Sequence, residues 1–269
     1  RGSLELVPIE DIIYFKADQK YVTLKTDDHE YLIEESLKAL EQEFKHRFVR
    51  SHRNALVSVR HIAGIATHAM RKAGSEWEWS FTGGNEIASG YRTGFALGAC
   101  TPASRREILP GESLMVDLHA MFKLGLGDHS HNYLIAPVTD RQRWHANNFL
   151  DVTRLTLDSY RAGITPGGLA KDMLGFAEER GFASHMLPGF EHGIGMLGDE
   201  WRIGLNNGPV PYWTNPDHVY QENEVLICAL QYACPEENIG FRYENPIVLS
   251  KEGCEELSKF PLAVTEIDG

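Results

Sequence analysis

The chain has 269 residues, 42% of them hydrophobic, and a formal net charge of −12, which is enough apolar material for the core of one large domain, or of a large one with a small one. No apolar run approaches the roughly 18–20 residues that cross a bilayer, and the first residues lack the order of a signal peptide, so the chain reads as soluble and cytoplasmic with no membrane partner. The acidic excess excludes a chain that binds nucleic acid over its whole surface, because phosphate contacts need Lys and Arg.

Its charge is nevertheless uneven. Between Lys45 and Ser75 there is no acid, while Lys45, Arg47, Arg50, Arg53, Arg60, Arg71 and Lys72 fall in that stretch. This is either a phosphate-binding face or a solvated basic one. The four cysteines, Cys100, Cys228, Cys234 and Cys254, form no CxxC pair and read as reduced thiols.

In chain order, the first 67 or so residues predict short strands around one helix. Ile9 to Lys16 and Tyr21 to Lys25 are rich in β-branched and aromatic residues, and Asp27-Asp28 makes a turn before Tyr31-Leu32-Ile33. Ser36 can cap a helix carrying Leu37, Leu40 and Phe44, after which Phe48-Val49 opens a strand-like run through Val57. Beyond about Met70 longer elements follow. Leu114 to Phe122 and Tyr133-Leu134-Ile135 are strands, with Gly125 and Gly127 marking a turn between them. Thr139 with Gln142 resembles a capping box for a helix that stops at Gly163, and a second helix runs from Pro166 to Gly181. Strands return at Glu224 to Leu230 and Phe241 to Leu249. Helices lying between strands distant in sequence indicate an α+β fold rather than a regular wound parallel sheet.

Asp117 and Asp128 are eleven residues apart and can be brought face to face by a hairpin. Paired carboxylates suit divalent metals, and a histidine adds a nitrogen donor. His192, within GFEHGIGM, and Glu244, within RYENPIVL, are candidates. Taken singly, each reads better as a solvated, capping or hydrogen-bonded side chain than as a ligand. Their order, with PGESLMVDLH around the first Asp, Ser75-Glu76 at an expected helix start, and ENPIVLSKEG near the end, resembles the pita-bread family of methionine aminopeptidases, proline-specific aminopeptidases, prolidases and creatinase, closest to its lyase and hydrolase branch.

That resemblance implies a pita-bread domain over residues 68–269 and a metal-dependent hydrolase or lyase acting on a small amino-acid-like or zwitterionic substrate. It implies Asp117, Asp128, His192 and Glu244 as ligands of one or two divalent ions (Mn, Fe, Co or Zn), His192 and Glu244 as catalytic residues, and a homodimer. The family's fifth ligand, a Glu, falls on Ala229, or on Leu230 if the register slips by one, and this gap argues against an ordinary two-metal peptidase. A second family histidine falls on Asp199. His119, His129, His131 and Asp199 are the local groups that could complete a different constellation; the plain reading of His129 and His131 is surface histidine. Trp201, Tyr212 and Trp213 are expected to line a substrate pocket, where aromatic faces could cage a cation, or else to belong to the core or a dimer contact.

The strings ADQKYV, SLKALE and RSHRNALV resemble, in that order, the LytTR DNA-binding domain, most closely that of alginate-regulator response regulators. The resemblance covers residues 1–67 and implies a β-rich DNA-binding domain. It assigns Lys20 to a first contact loop and Arg50, His52, Arg53 and Asn54 to a second, Arg and Asn being suited to guanine and adenine edges. After Ile65 the sequence passes into AMRKAGSEWEWS, so a domain short of its last strands is expected, in a chain that reads as truncated or fused. The alternative function is therefore a DNA-binding regulator with a non-catalytic C-terminal domain, or an inactive fusion remnant.

Overall fold

The computed structural model describes residues 6–18, 20–44, 47–58, 61–76, 85–95, 104, 106–123, 125–187, 190–194, 199–203 and 217–267. Near the N-terminus, β1 (Tyr14–Asp18), β2 (Tyr21–Lys25), β3 (Glu30–Ile33), β4 (Phe48–His52) and β5 (Ala55–Ser58) form an antiparallel sheet in the order β3-β2-β1-β5-β4. Strand alternation turns Phe15, Val22, Leu24, Phe48 and Leu56 to one side, where α1 (Leu37–Glu43) adds Leu37 and Leu40. Ser36 caps α1 by accepting from the Ala39 amide at 3.1 Å. The run expected to be a strand from Ile9 begins instead as a single 3-10 turn over Ile9–Asp11, closed by the Ile12 amide on the Ile9 carbonyl. Glu10 and Asp11 lie in that turn, and acidic residues are poor strand formers.

Helix α2 (Ile62–Ala73) follows and ends at Gly74, whose φ of 109° is the left-handed cap that glycine adopts most easily. Ser75 and Glu76, expected at a helix start, therefore follow a helix C-terminus, and the Glu76 amide bonds to the Met121 carbonyl at 2.7 Å. The expected domain boundary at residue 67 falls inside α2. Ile62 packs with Ile108, Leu114 and Ile135 of the larger unit.

That unit holds two sheets. One runs β14-β8-β7-β6, from β6 (Glu86–Ser89), β7 (Ser113–Phe122), β8 (Gly125–Ile135) and β14 (Val264–Ile267). The other runs β10-β9-β11-β12-β13, from β9 (Glu191–Ile194), β10 (Asp199–Ile203), β11 (Val225–Cys234), β12 (Ile239–Leu249) and β13 (Cys254–Glu256). Pairing is antiparallel except between β14 and β8. Strand β12 packs across β7 and β8, so the two sheets meet there. Helices α3 (Asp140–Ser159) and α4 (Pro166–Glu179) cover the sheets with Phe149, Val152, Leu169 and Met173, which join Phe190, Leu226, Leu230 and Phe241 in the main core. The Thr139–Gln142 capping box forms as expected.

One turn lies elsewhere than expected. Gly125 and Gly127 are inside β8, and the β7–β8 reversal begins at Lys123, with a φ of 50°. Asp128 consequently sits within a strand rather than at its mouth. Among the described residues no helix is long and apolar enough to cross a membrane, and Cys228, Cys234 and Cys254 are free thiols.

Candidate metal centre and nucleic-acid face

Register places the acidic cluster. In the β7–β8 ladder Asp117 pairs with Ser130 and His119 with Asp128, while β6 sets Glu86 opposite Asp117. Cross-strand partners share a face and alternate residues return to it, so Glu86, Asp117, His119, Asp128 and Ser130 all face β12. From β12, Arg242 and Glu244 reach back. Strand β9, paired with β11 through His192 and Ile227, supplies the imidazole. The four expected ligands, Asp117, Asp128, His192 and Glu244, are thus brought together, each fully or almost fully buried.

The distances define a crowded anionic site. His192 Nε2 lies 3.5 Å from both Asp128 Oδ2 and Glu244 Oε1. Its Nδ1 is 3.0 Å from the Gly193 carbonyl, an oxygen that can only accept, so Nδ1 carries a proton and Nε2 faces the carboxylates. His119 Nε2 lies 3.6 Å from Asp117 Oδ2 and 3.5 Å from Asp128 Oδ1. Ser130 Oγ stands within donating distance of Asp117 Oδ1, 3.0 Å, and of Glu244 Oε2, 3.2 Å. The Arg242 guanidinium contacts Asp117 Oδ2 at 2.8 Å, Glu86 Oε2 at 3.1 Å and the Glu244 carboxylate.

Burial, and then the neighbouring Glu244 charge, push the Asp128 carboxyl well above the usual range; burial with Glu244 and Glu86 does the same to Asp117 against the pull of Arg242. Burial opposes ionisation of Glu244 too, but the Arg242 charge and bonding with His192 outweigh it and hold that carboxyl well below its ordinary value. Burial lowers His119 to about 4, which keeps the ring neutral near neutral pH.

These residues fit a divalent cation. Both Asp128 oxygens are buried without a hydrogen-bond donor at normal geometry, an arrangement that is costly unless a proton or a cation lies between the groups. Asp117, His119, Asp128 and Glu244 each offer a ligand atom within 4.8 Å of the others, and a carboxylate–imidazole set suits Zn, Fe, Co or Mn.

The gap expected at position 229 is also placed. Ala229 pairs with Glu244 and so shares its face, whereas Leu230 pairs with Tyr243 and points away. A buried methyl group stands where a carboxylate would have projected beside Glu244. Arg242 and Glu86 are the residues that sequence reasoning missed. The Arg-x-Glu spacing of RYE, which puts two side chains on one face of a strand, was a signal for the first; Glu86 offered none, since its place depends on the β6–β7 pairing.

Other expected groups lie elsewhere. His129 and His131 point away from Asp128, as their flanking of Ser130 implies, yet they are not surface residues. Both pack on Phe260, with ring centroids 5.5 and 4.7 Å away, and His131 Nε2 meets Thr265 Oγ1 at 2.9 Å. The phenyl ring and the adjoining β14 cover them. Asp199 pairs with Ile194 in the β9–β10 ladder, and Trp201 with His192, so the Trp201 backbone runs beside His192. Tyr212 and Trp213 lie outside the described residues.

In the N-terminal sheet, the β1–β2 turn carries Lys20 and the β4–β5 turn carries Arg53 and Asn54. The Ala17 amide bonds to the Asn54 carbonyl at 2.8 Å, so both turns lie at one end of the sheet. Lys20 and Arg53 are exposed. Arg50 is engaged differently from the expectation of a free contact residue. Its guanidinium pairs with Glu41 on α1, with Nη2–Oε2 at 2.5 Å, and donates to the Arg53 carbonyl at 3.2 Å, which ties the turn to the helix. Of His52 the backbone is described, in β4.

Residues 2–92 match the family of the LytTr DNA-binding domain, a match that runs past Ile65 and through β6. Over 58 residues the chain is 59% identical to the positive alginate biosynthesis regulatory protein of Pseudomonas aeruginosa, covering 22% of this chain and 23% of that one. Over 174 residues it is 24% identical to an Xaa-Pro dipeptidase of Pyrococcus horikoshii, covering 64% of this chain and 46% of that protein. The chain thus spans about a quarter of the length of the first relative and about half of the second. Among solved structures, the X-Pro aminopeptidase from Thermotoga maritima superposes with a TM-score of 0.66 at 23% identity, over 85% of this chain and 58% of that one. The N-terminal region is thus similar to the LytTr DNA-binding domain, and the larger unit has the pita-bread fold.

Proposed function

We propose that the protein is a metal-dependent hydrolase or lyase acting on a small amino-acid-like or zwitterionic substrate, with Asp117, Asp128, His192 and Glu244 as its centre. The observation that carries this reading is Asp128, whose two buried, donorless oxygens face an imidazole nitrogen on either side. A divalent ion bound there supplies Lewis acidity and a water activated at neutral pH. Arg242 keeps Glu244 ionised and orients it together with Asp117. One Ser130 hydroxyl serves those same two carboxylates. Because Ala229 leaves a carboxylate out and Arg242 already offsets part of the negative charge, one divalent ion suits this site better than two. The proximity of the Trp201 backbone to His192 favours this stretch of β10 as part of the substrate-receiving side.

Elemental analysis of the purified chain, with thermal melts in Mn, Fe, Co and Zn, tests the proposal. A bound ion near one equivalent and a melting point that rises with metal are expected. A chain with no bound ion and no rise sinks it.

The common placement of Lys20, Arg53 and Asn54 at one sheet end favours a second, compatible activity, duplex-DNA binding by the N-terminal domain. Full-chain binding to duplex DNA should weaken steeply with salt. Absent or salt-insensitive binding counts against it.

A further inference from the structure

His119 is an imidazole within the acidic cluster that the family pattern of Asp, Asp, His and Glu does not include. It follows Asp117 by two residues on β7 and pairs with Asp128 in the ladder, so strand alternation commits it to the ligand face. The ring is buried, with Nε2 3.6 Å from Asp117 Oδ2 and 3.5 Å from Asp128 Oδ1. These separations exceed the roughly 2.7–3.2 Å of an N–H···O bond. They agree with the edge of about 3.3 Å expected between two donors on one tetrahedral ion whose bonds are about 2.0–2.1 Å long. His192 repeats the relation from the other sheet, at 3.5 Å from Asp128 Oδ2 and from Glu244 Oε1. Asp128 therefore stands between two imidazoles, one on each oxygen. Across the site, the methyl of Ala229 leaves the face beside Glu244 without a donor.

We propose that His119 is a metal ligand that restores the donor number lost at Ala229, giving a centre with two imidazole ligands and a preference for Zn or Co over Mn. The inference rests on the metal-dependent reading above. Imidazole donors favour the later and softer of the divalent ions, whereas all-carboxylate sets suit Mn and Mg.

The full chain, its His119→Ala variant and its His119→Gln variant are titrated with Zn and Mn by calorimetry. Loss of one ligand should weaken Zn binding by at least about tenfold in both variants, with a smaller change for Mn. The Co-loaded wild type supplies a reading that does not depend on how the variants fold: two strongly shifted exchangeable imidazole N–H proton resonances are expected, and one only if His119 stands outside the centre. Zn affinity within twofold of wild type in the variants, or a single shifted imidazole resonance, overturns the assignment of His119 and leaves the metal-dependent reading intact. A wild-type chain that takes up none of these ions overturns both.

Discussion

Replacing Arg242 with methionine removes the buried cation that faces Asp117, Glu86 and Glu244 and leaves three carboxylates without their counter-charge. Removing one partner of a buried ionic group typically costs about 3–5 kcal/mol, because the partners keep their desolvation and lose their compensation. For a unit of this size each kcal/mol lowers the melting temperature by roughly 2–4 °C, so the variant in EDTA should melt roughly 6–20 °C below wild type. The deficit should shrink as pH falls, because protonation neutralises carboxylates whose folded-state pKa has risen without Arg242. It should also shrink when a divalent ion is added, since the ion supplies the missing charge. Arg242→Lys keeps a charge without the planar fork and should recover only part of the loss. Differential scanning calorimetry in EDTA and in Zn, across pH, measures all three effects. A drop of under about 2 °C in EDTA would refute the claim that Arg242 holds the acidic cluster together.

Gly240→Ala would place a methyl group 1.9 Å from the Thr93 carbonyl oxygen and 2.9 Å from that of Tyr232; with backbone on both sides, a destabilisation of about 1–3 kcal/mol is expected in urea melts, and a change below about 0.5 kcal/mol would show that the approach is not tight. The raised carboxyls of Asp117 and Asp128 make the metal-free fold bind protons that the unfolded chain releases, so this contribution to stability is lost as pH rises through their folded values. Glu244, held low, gives the opposite slope, losing its contribution only as acid protonates it. A divalent ion displaces the protons, so melting temperature against pH with and without Zn should diverge upward; parallel curves would contradict it. Lys20→Ala and Arg53→Ala should each reduce the slope of log affinity for DNA against log salt by about 0.9 where the side chain neutralises a phosphate, and an unchanged slope in both would remove this sheet end from the interface. Arg50→Ala should instead lower the stability of the N-terminal sheet, because it frees Glu41 on α1.

Much was legible because it is local. The Thr139–Gln142 capping box, the helix opening at Pro166 and the alternation in LMVDLHAMF each depend on residues a few positions apart. The order Asp117, Asp128, His192, Glu244 likewise sufficed to point to a common site. Alternation also carried the orientation of His129 and His131, although not their burial, which comes from Phe260 and β14. The β7–β8 turn was misplaced because Gly125 and Gly127 are compatible with either a turn or a strand, and pairing with Phe122 and Ala120 decided for the strand.

What the sequence determined by itself was therefore which residues are candidates for the site and where the carboxylate expected beside them is absent, since chemistry of that kind is written in residue types and their order. What only the tertiary structure decided was which side chains share a face. Register set Ala229 rather than Leu230 opposite Glu244, brought Glu86 and Arg242 into the acidic cluster, and turned His119 toward Asp128. A slip of one residue in any of these strands would reverse every side chain on it, and it is the long-range packing of β12 across β7 and β8 that rules out such a slip.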